Sequence, residues 1–157
     1  MKNYIKIIFL LAFFNFMESI ISIPLSKIYI ILPLTFLFYS YYVYKSQENK
    51  NPIEAFLLGL FVDLISGSYF GLNAILFCII TYLINLYANS FKLFSYLQIC
   101  IFFGISAASY IGFTQLIINL YNFSYLTLFI SAIFNSILCI FIAAISVYFG
   151  TYINLRK

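Results

Sequence analysis

Charged side chains are too scarce in this chain to coat a water-facing surface: eight Lys and Arg and four Asp and Glu are spread over 157 residues. Soluble domains carry about 25% charged residues, whereas here the charged share is 8% and the hydrophobic share 65%. The apolar surface must face something other than water, and a lipid bilayer is the solvent that accepts it. A transmembrane helix takes about 20 residues, so six of them consume about 120 positions and leave no room for a soluble domain. The expected fold is all-α: a polytopic integral membrane protein, one transmembrane domain over residues 1–157, built as a six-helix bundle with the N- and C-termini cytoplasmic.

Residue choice removes most chemistry as well. The chain has no His and no Trp. Cys78, Cys100 and Cys139 lie far apart inside apolar stretches, which is neither metal-ligand spacing nor a disulfide framework, so they read as small packing residues. No Gly-rich phosphate loop and no nucleophile beside a His is present. These absences predict a non-enzymatic protein with no catalytic, cofactor-binding or metal site. The net charge of +4 is not gathered into a patch, so nucleic acid is not an expected partner.

The apolar runs place spans at about 7–23, 28–44, 52–66, 72–90, 95–120 and 126–150. The first follows Lys2 and Lys6 like a signal peptide, yet no small-x-small cleavage site follows it, so it reads as a retained helix. Pro33 falls in the first two turns of the second run, where a missing amide costs least. The polar stretch from Lys45 to Pro52 is a loop that ends in a helix start. There Asn51 caps, Pro52 takes the first helical position, and Glu54 lies where a capping-box acid reaches back. Gly67 and Gly71 suit a tight turn between the third and fourth helices.

With the N-terminus inside, Lys2, Lys6, Lys45, Lys50, Lys92, Arg156 and Lys157 fall on the cytoplasmic side and only Lys27 outside. That split follows the positive-inside rule. Tyrosines add an aromatic belt, with Tyr39, Tyr41, Tyr42 and Tyr44 at one end of the second helix and Tyr69, Tyr121 and Tyr125 at outer turns.

Lipid gives helices no hydrophobic reason to associate, so contact must come from small residues and buried hydrogen bonds. Gly104, Ala108 and Gly112 repeat every four residues in the fifth span. Ala74, Cys78, Thr81, Asn85 and Ala88 form a seam along the fourth, and Asn135 joins Ser131, Cys139 and Ala143 in the sixth. Each stripe serves either packing within the bundle or docking of a partner.

The third span is the unusual one. Asp63 sits about 15 Å along its axis from Ile53, close to mid-bilayer. An Asp there costs about 2.5 to 3.5 kcal/mol, while each surrounding Ile, Leu, Phe or Val returns about 0.3 to 0.6. The segment is therefore marginal alone, and Asp63 must face its neighbours. Gly59, Asp63 and Gly67 share one face at i, i+4 and i+8. Three roles are open to Asp63: accepting hydrogen bonds from Ser, Thr, Asn or Tyr to fix the fold, coupling to a partner, or carrying a proton. Glu18, the other acid in an apolar run, lies towards the outer end of the first span, within reach of the interface.

The segment Gly59-Leu60-Phe61-Val62-Asp63-Leu64-Ile65-Ser66-Gly67-Ser68-Tyr69-Phe70-Gly71-Leu72-Asn73-Ala74 resembles the core signature of the bacterial rod shape-determining MreD family. Upstream, Pro33, the Lys45 to Lys50 loop and Pro52 agree with it, as do length and layout. The loop and C-terminal tail carry Lys where the family is richer in Arg. The resemblance implies a non-enzymatic scaffold in the bacterial cytoplasmic (inner) membrane, part of the cell-elongation complex that supports cell shape and lateral peptidoglycan synthesis. It implies binding to MreC, a bitopic membrane protein, and through it coupling to MreB filaments and the RodA and penicillin-binding-protein synthases. Asp63, with Gly59, Gly67, Gly71 and Pro33, carries the structural and partner-coupling part of that expectation. A competing reading is the substrate-binding subunit of an energy-coupling-factor vitamin transporter, with Asn73, Asn85, Gln115, Asn119 and Asn135 lining a pocket.

Overall fold

A computed structural model describes residues 2–46, 50–67, 69–118 and 123–154, with side chains over 4–46, 50–67, 69–118 and 123–142. Arg156, Lys157, Ser68, Asn119 and Tyr121 lie outside the described residues, as do the side chains of Lys2 and Ala143. Among the described residues the chain is all-helical: α1 (Lys2–Ser26), α2 (Leu34–Lys45), α3 (Pro52–Ser66), α4 (Leu72–Leu86), α5 (Ala88–Phe91), α6 (Tyr96–Ile118) and α7 (Tyr125–Asn154).

Three of these are long and apolar enough to cross a membrane: α1 over Tyr4–Ser26, α6 over Tyr96–Ile118 and α7 over Tyr125–Ile142. At 1.5 Å per residue, α2 is about 18 Å long and α3 and α4 about 22 Å each, short of the ~30 Å hydrocarbon core. α3 packs along α4 and α6 along α7, while α2 sits between α1 and α4 and also touches α6.

The first and last helices run longer than expected, over Lys2–Ser26 and Tyr125–Asn154, and two breaks differ in kind from the sequence expectation. The second helix, expected over 28–44, begins at Leu34 with Pro33 at its N-cap rather than inside its first turns. The reason lies in α1, which ends in a Schellman turn: Ile30 N–H donates to Leu25 C=O at 3.0 Å and Tyr29 N–H to Ser26 C=O at 3.2 Å. Tyr29 takes the left-handed position at φ 59°, a place usually held by Gly. Proline then biases the residue before it towards extended backbone. The helix expected over 72–90 breaks at Tyr87 and resumes as α5. That break turns Phe91 into an aromatic cluster with Tyr44 and Phe102, at centroid distances of 5.5 and 4.8 Å.

The start of α3 follows its signals only in part. Asn51 Oδ1 accepts from Ile53 N–H at 3.1 Å, as a cap should. The Glu54 carboxylate turns instead to α1, where it accepts from the Tyr4 hydroxyl at 2.8 Å. That bond seats the start of α1 beside the start of α3. Lys6, Lys45, Lys50 and Lys92 consequently gather at one end of the bundle, the lysine end, and Lys27 lies at the other, the glycine end, with the Gly67–Gly71 turn.

The core runs through α2. Tyr39 lies flat on Phe77 of α4, with ring centroids 4.0 Å apart and planes within 3°. Its hydroxyl is 2.8 Å from Thr81 Oγ1, so a polar tip is satisfied inside the apolar packing. Phe36 closes the layer against Phe77 and Tyr110.

Candidate functional site

Asp63 is 2% exposed, and its carboxylate reaches the start of α4. Oδ2 accepts from Gly71 N–H at 2.9 Å, with Ala74 N–H further off at 3.4 Å. Oδ1 accepts from Asn73 N–H at 3.0 Å and Asn73 Nδ2 at 2.8 Å. A helix begins with amides that have no intrahelical acceptor, and the macrodipole makes that end attractive to an anion. Asp63 therefore does for α4 what a capping side chain normally does from the adjoining residue, but from the far arm of the hairpin.

Glycines make this reach possible. A Cβ on Gly59 would lie 2.6 Å from Ala74 N and 2.8 Å from Asn73 C, so only hydrogen lets the two backbones come this close. Gly67 and Gly71 reverse the chain at φ 62° and 94°, the left-handed region that other residues enter at a cost. Beyond the hairpin, the Tyr110 hydroxyl of α6 donates to Asn73 Oδ1 at 2.6 Å. Asp63, Asn73 and Tyr110 thus tie three helices through one polar chain.

A second carboxylate has the same job. Glu18 Oε2 accepts from Thr35 N–H at 2.8 Å and Thr35 Oγ1 at 2.7 Å, capping α2 from α1. The sequence reading placed Glu18 within reach of the interface; the structure turns it inward. Proline at 33 supplies no side-chain cap, so a distant acid fills the role.

The extended backbone between α1 and α2 is held by α7. Ile31 N–H donates to Ser131 Oγ at 2.9 Å, and Asn135 Nδ2 donates to Ile31 C=O at 2.9 Å and to Ser131 C=O at 2.7 Å. Backbone that leaves a helix inside a packed bundle needs other partners for its N–H and C=O groups, and these contacts supply them to Ile31. The function of Ser131 and Thr35 here escapes sequence reading, since each hydroxyl looks like ordinary helix glue.

The remaining residues named from the sequence are packing contacts in different places. Gly104 faces Ser136 and Gly112 faces Leu128 across the α6–α7 pair, with Ala108 half-buried between them. Asn85 Nδ2 donates to Lys50 C=O at 2.9 Å, and Cys78 Sγ to Pro52 C=O at 3.3 Å. The amides proposed to line a vitamin pocket are therefore scattered: Asn73 is on Asp63, Asn85 on the loop before α3, Asn135 on the α1–α2 connection.

Comparison with curated proteins and with solved structures gave no match. Comparison with family models gave one for the rod shape-determining protein MreD, over residues 1–149. The match runs from α1 well into α7, across both carboxylate clasps, and the chain belongs to the MreD family of rod shape-determining membrane proteins.

Proposed function

We propose that this protein is a non-enzymatic scaffold of the cell-elongation complex in the bacterial cytoplasmic membrane, threading the bilayer six times with both termini in the cytoplasm. Family membership supports the role in cell shape. The orientation follows from the lysine end, because a short-looped membrane protein keeps its Lys and Arg inside. The short helices α2, α3 and α4 cross with their neighbours' help, local thinning of the bilayer making up the missing length.

The docking surface in this reading is the shape of the α3–α4 hairpin and its Gly67–Gly71 turn, onto which an MreC-like bitopic protein binds. That partner couples the scaffold to MreB filaments and to the RodA and penicillin-binding-protein synthases. Asp63 acts from inside: the observation that carries the reading is its grip on the Gly71 and Asn73 amides, which fixes the outer turn relative to both helices. Capture of MreC by membrane-inserted Asp63→Ala and Asp63→Asn variants tests it. Ala should lose capture and rounded cells should follow, with Asn in between because it keeps one oxygen acceptor. Full capture and rod-shaped cells in both variants would reject the coupling role. Tags on the two termini that reported opposite compartments would reject the topology.

A further inference from the structure

Tyr110 of α6 stands between the two carboxylate clasps. Its hydroxyl donates to Asn73 Oδ1 at 2.6 Å, and its ring centroid lies 4.6 Å from that of Phe36, with the planes 31° apart. Asn73 is held by Asp63, and Phe36 follows Thr35, the residue held by Glu18. We propose that Tyr110 joins the two clasps into one cooperative unit, so that release of either carboxylate loosens the helix start held by the other. This coupling is internal to the chain and holds whichever protein docks at the Gly67–Gly71 turn.

Asn73 makes the link on one side. Its carboxamide is planar, and both ends are engaged across helices: Nδ2 donates to Asp63 Oδ1 at 2.8 Å, while Oδ1 accepts from Tyr110. Rotation of the group moves both ends together, so an Asn73 let go by Asp63 no longer holds Oδ1 in one place for Tyr110. Phe36 makes the link on the other side. It is 4% exposed and packed between Tyr110 and Phe77, so the Tyr110 ring cannot shift without disturbing the first turn of α2. Close-packed interiors transmit displacements of this kind.

Phe36 also meets Phe77 of α4 directly, but at 6.3 Å between centroids and 47° between planes, an apolar contact that sets no direction. The Tyr110 hydroxyl bond is short and directional, and groups in one hydrogen-bond network couple energetically. Both helix starts lie at the glycine end. A force on the Gly67–Gly71 turn therefore reaches the extended backbone before α2, the segment that Ser131 and Asn135 of α7 hold. Tyr110 is thus a positioning residue for that whole end of the bundle.

Amide hydrogen exchange of the full chain in detergent micelles tests the coupling, because local opening is read separately at each helix start. Asp63→Ala should speed exchange several-fold at the Thr35 amide, which Asp63 does not touch. Coupling is reciprocal, so Glu18→Ala should do the same at the Asn73 amide, and this arm decides alone if Asp63→Ala does not insert. Tyr110→Phe keeps the ring on Phe36 and removes the hydroxyl; in that background neither change should be felt at the other clasp. Asn85→Ala, which cuts a bond at the lysine end of the same hairpin, should leave Thr35 as in the parent. A silent distant clasp, a cross-response that survives Tyr110→Phe, or an equal response to Asn85→Ala would each overturn the proposal.

Discussion

The α3–α4 and α6–α7 hairpins solve the same problem with different physics. Both depend on a glycine that lets antiparallel backbones approach, Gly59 against Ala74 and Gly104 against Ser136. The α6–α7 pair then relies on small residues and neutral groups over two helices each long enough to cross a membrane. The α3–α4 pair has shorter helices and adds a buried carboxylate gripping amides across the turn. Packing of small residues is spread over many weak contacts, whereas the carboxylate concentrates the association in one place and one geometry. The chain puts its directional interaction where its paired helices are shortest, next to the Gly67–Gly71 turn.

The sharpest way to break this comparison is Gly59→Val. Its branched side chain meets Ala74 and Asn73 backbone that cannot step aside, so the cost should exceed about 3 kcal/mol, above the usual overpacking range. Detergent-driven unfolding followed by circular dichroism measures it. A Gly59→Val no worse than Gly104→Val would show the two hairpins to be equivalent. Next comes Asp63→Ala, expected to cost about 2 to 3 kcal/mol by leaving the Gly71 and Asn73 donors buried and unsatisfied. Asp63→Asn should restore part of that in the same titration.

Gly104→Val should cost about 1 to 2 kcal/mol. The groups it meets are Ser136 Oγ at 2.7 Å and Ser136 Cα at 3.2 Å, and the side-chain part of that clash is relieved by rotation. The smallest effect belongs to Asn135→Leu, about 1 kcal/mol by analogy with intramembrane hydrogen bonds. Faster hydrogen exchange at the Ile31 amide would accompany it, because that amide bonds to Ser131 beside the lost Asn135 contact.

What was legible in the sequence depended on side chains at helical spacing. Gly59 and Asp63 at a four-residue interval announce one shared face, and Gly104 with Gly112 announce another, because an α-helix has one periodicity; Gly67, expected on the first face, instead ends α3 in the left-handed conformation, exposed and without a close neighbour. The turn at Gly67 and Gly71 was equally visible, since both positions have positive φ. The sequence points to an acceptor role for Asp63 but not to its backbone partners. Backbone amides of Gly71 and Asn73 have no side-chain signature, and any residue there offers the same N–H.

The α1–α2 connection was missed for a related reason. Ile28, Tyr29, Ile30, Ile31 and Leu32 are as apolar as any span, so composition continues the helix across them. The available signal was Pro33, which disfavours helix in the residue before it. Even so, nothing local says that Tyr29 adopts the left-handed conformation or that Ser131 and Asn135, a hundred residues later, receive the extended strand. Glu18 illustrates the same limit: an acid towards a span end reads as within reach of the interface until a helix start is found beside it.

The placement of Asp63 also has a consequence for biosynthesis. Gly71, Asn73 and Ala74 follow Asp63 in the chain, so α3 emerges from the ribosome before these donors exist. Alone, its apolar residues barely offset the transfer of that acid. In the proposed six-span topology the translocon therefore retains α3 until α4 arrives, releasing the two together as a unit. Synthesis order is thereby written into the membrane protein's own hydrogen bonding.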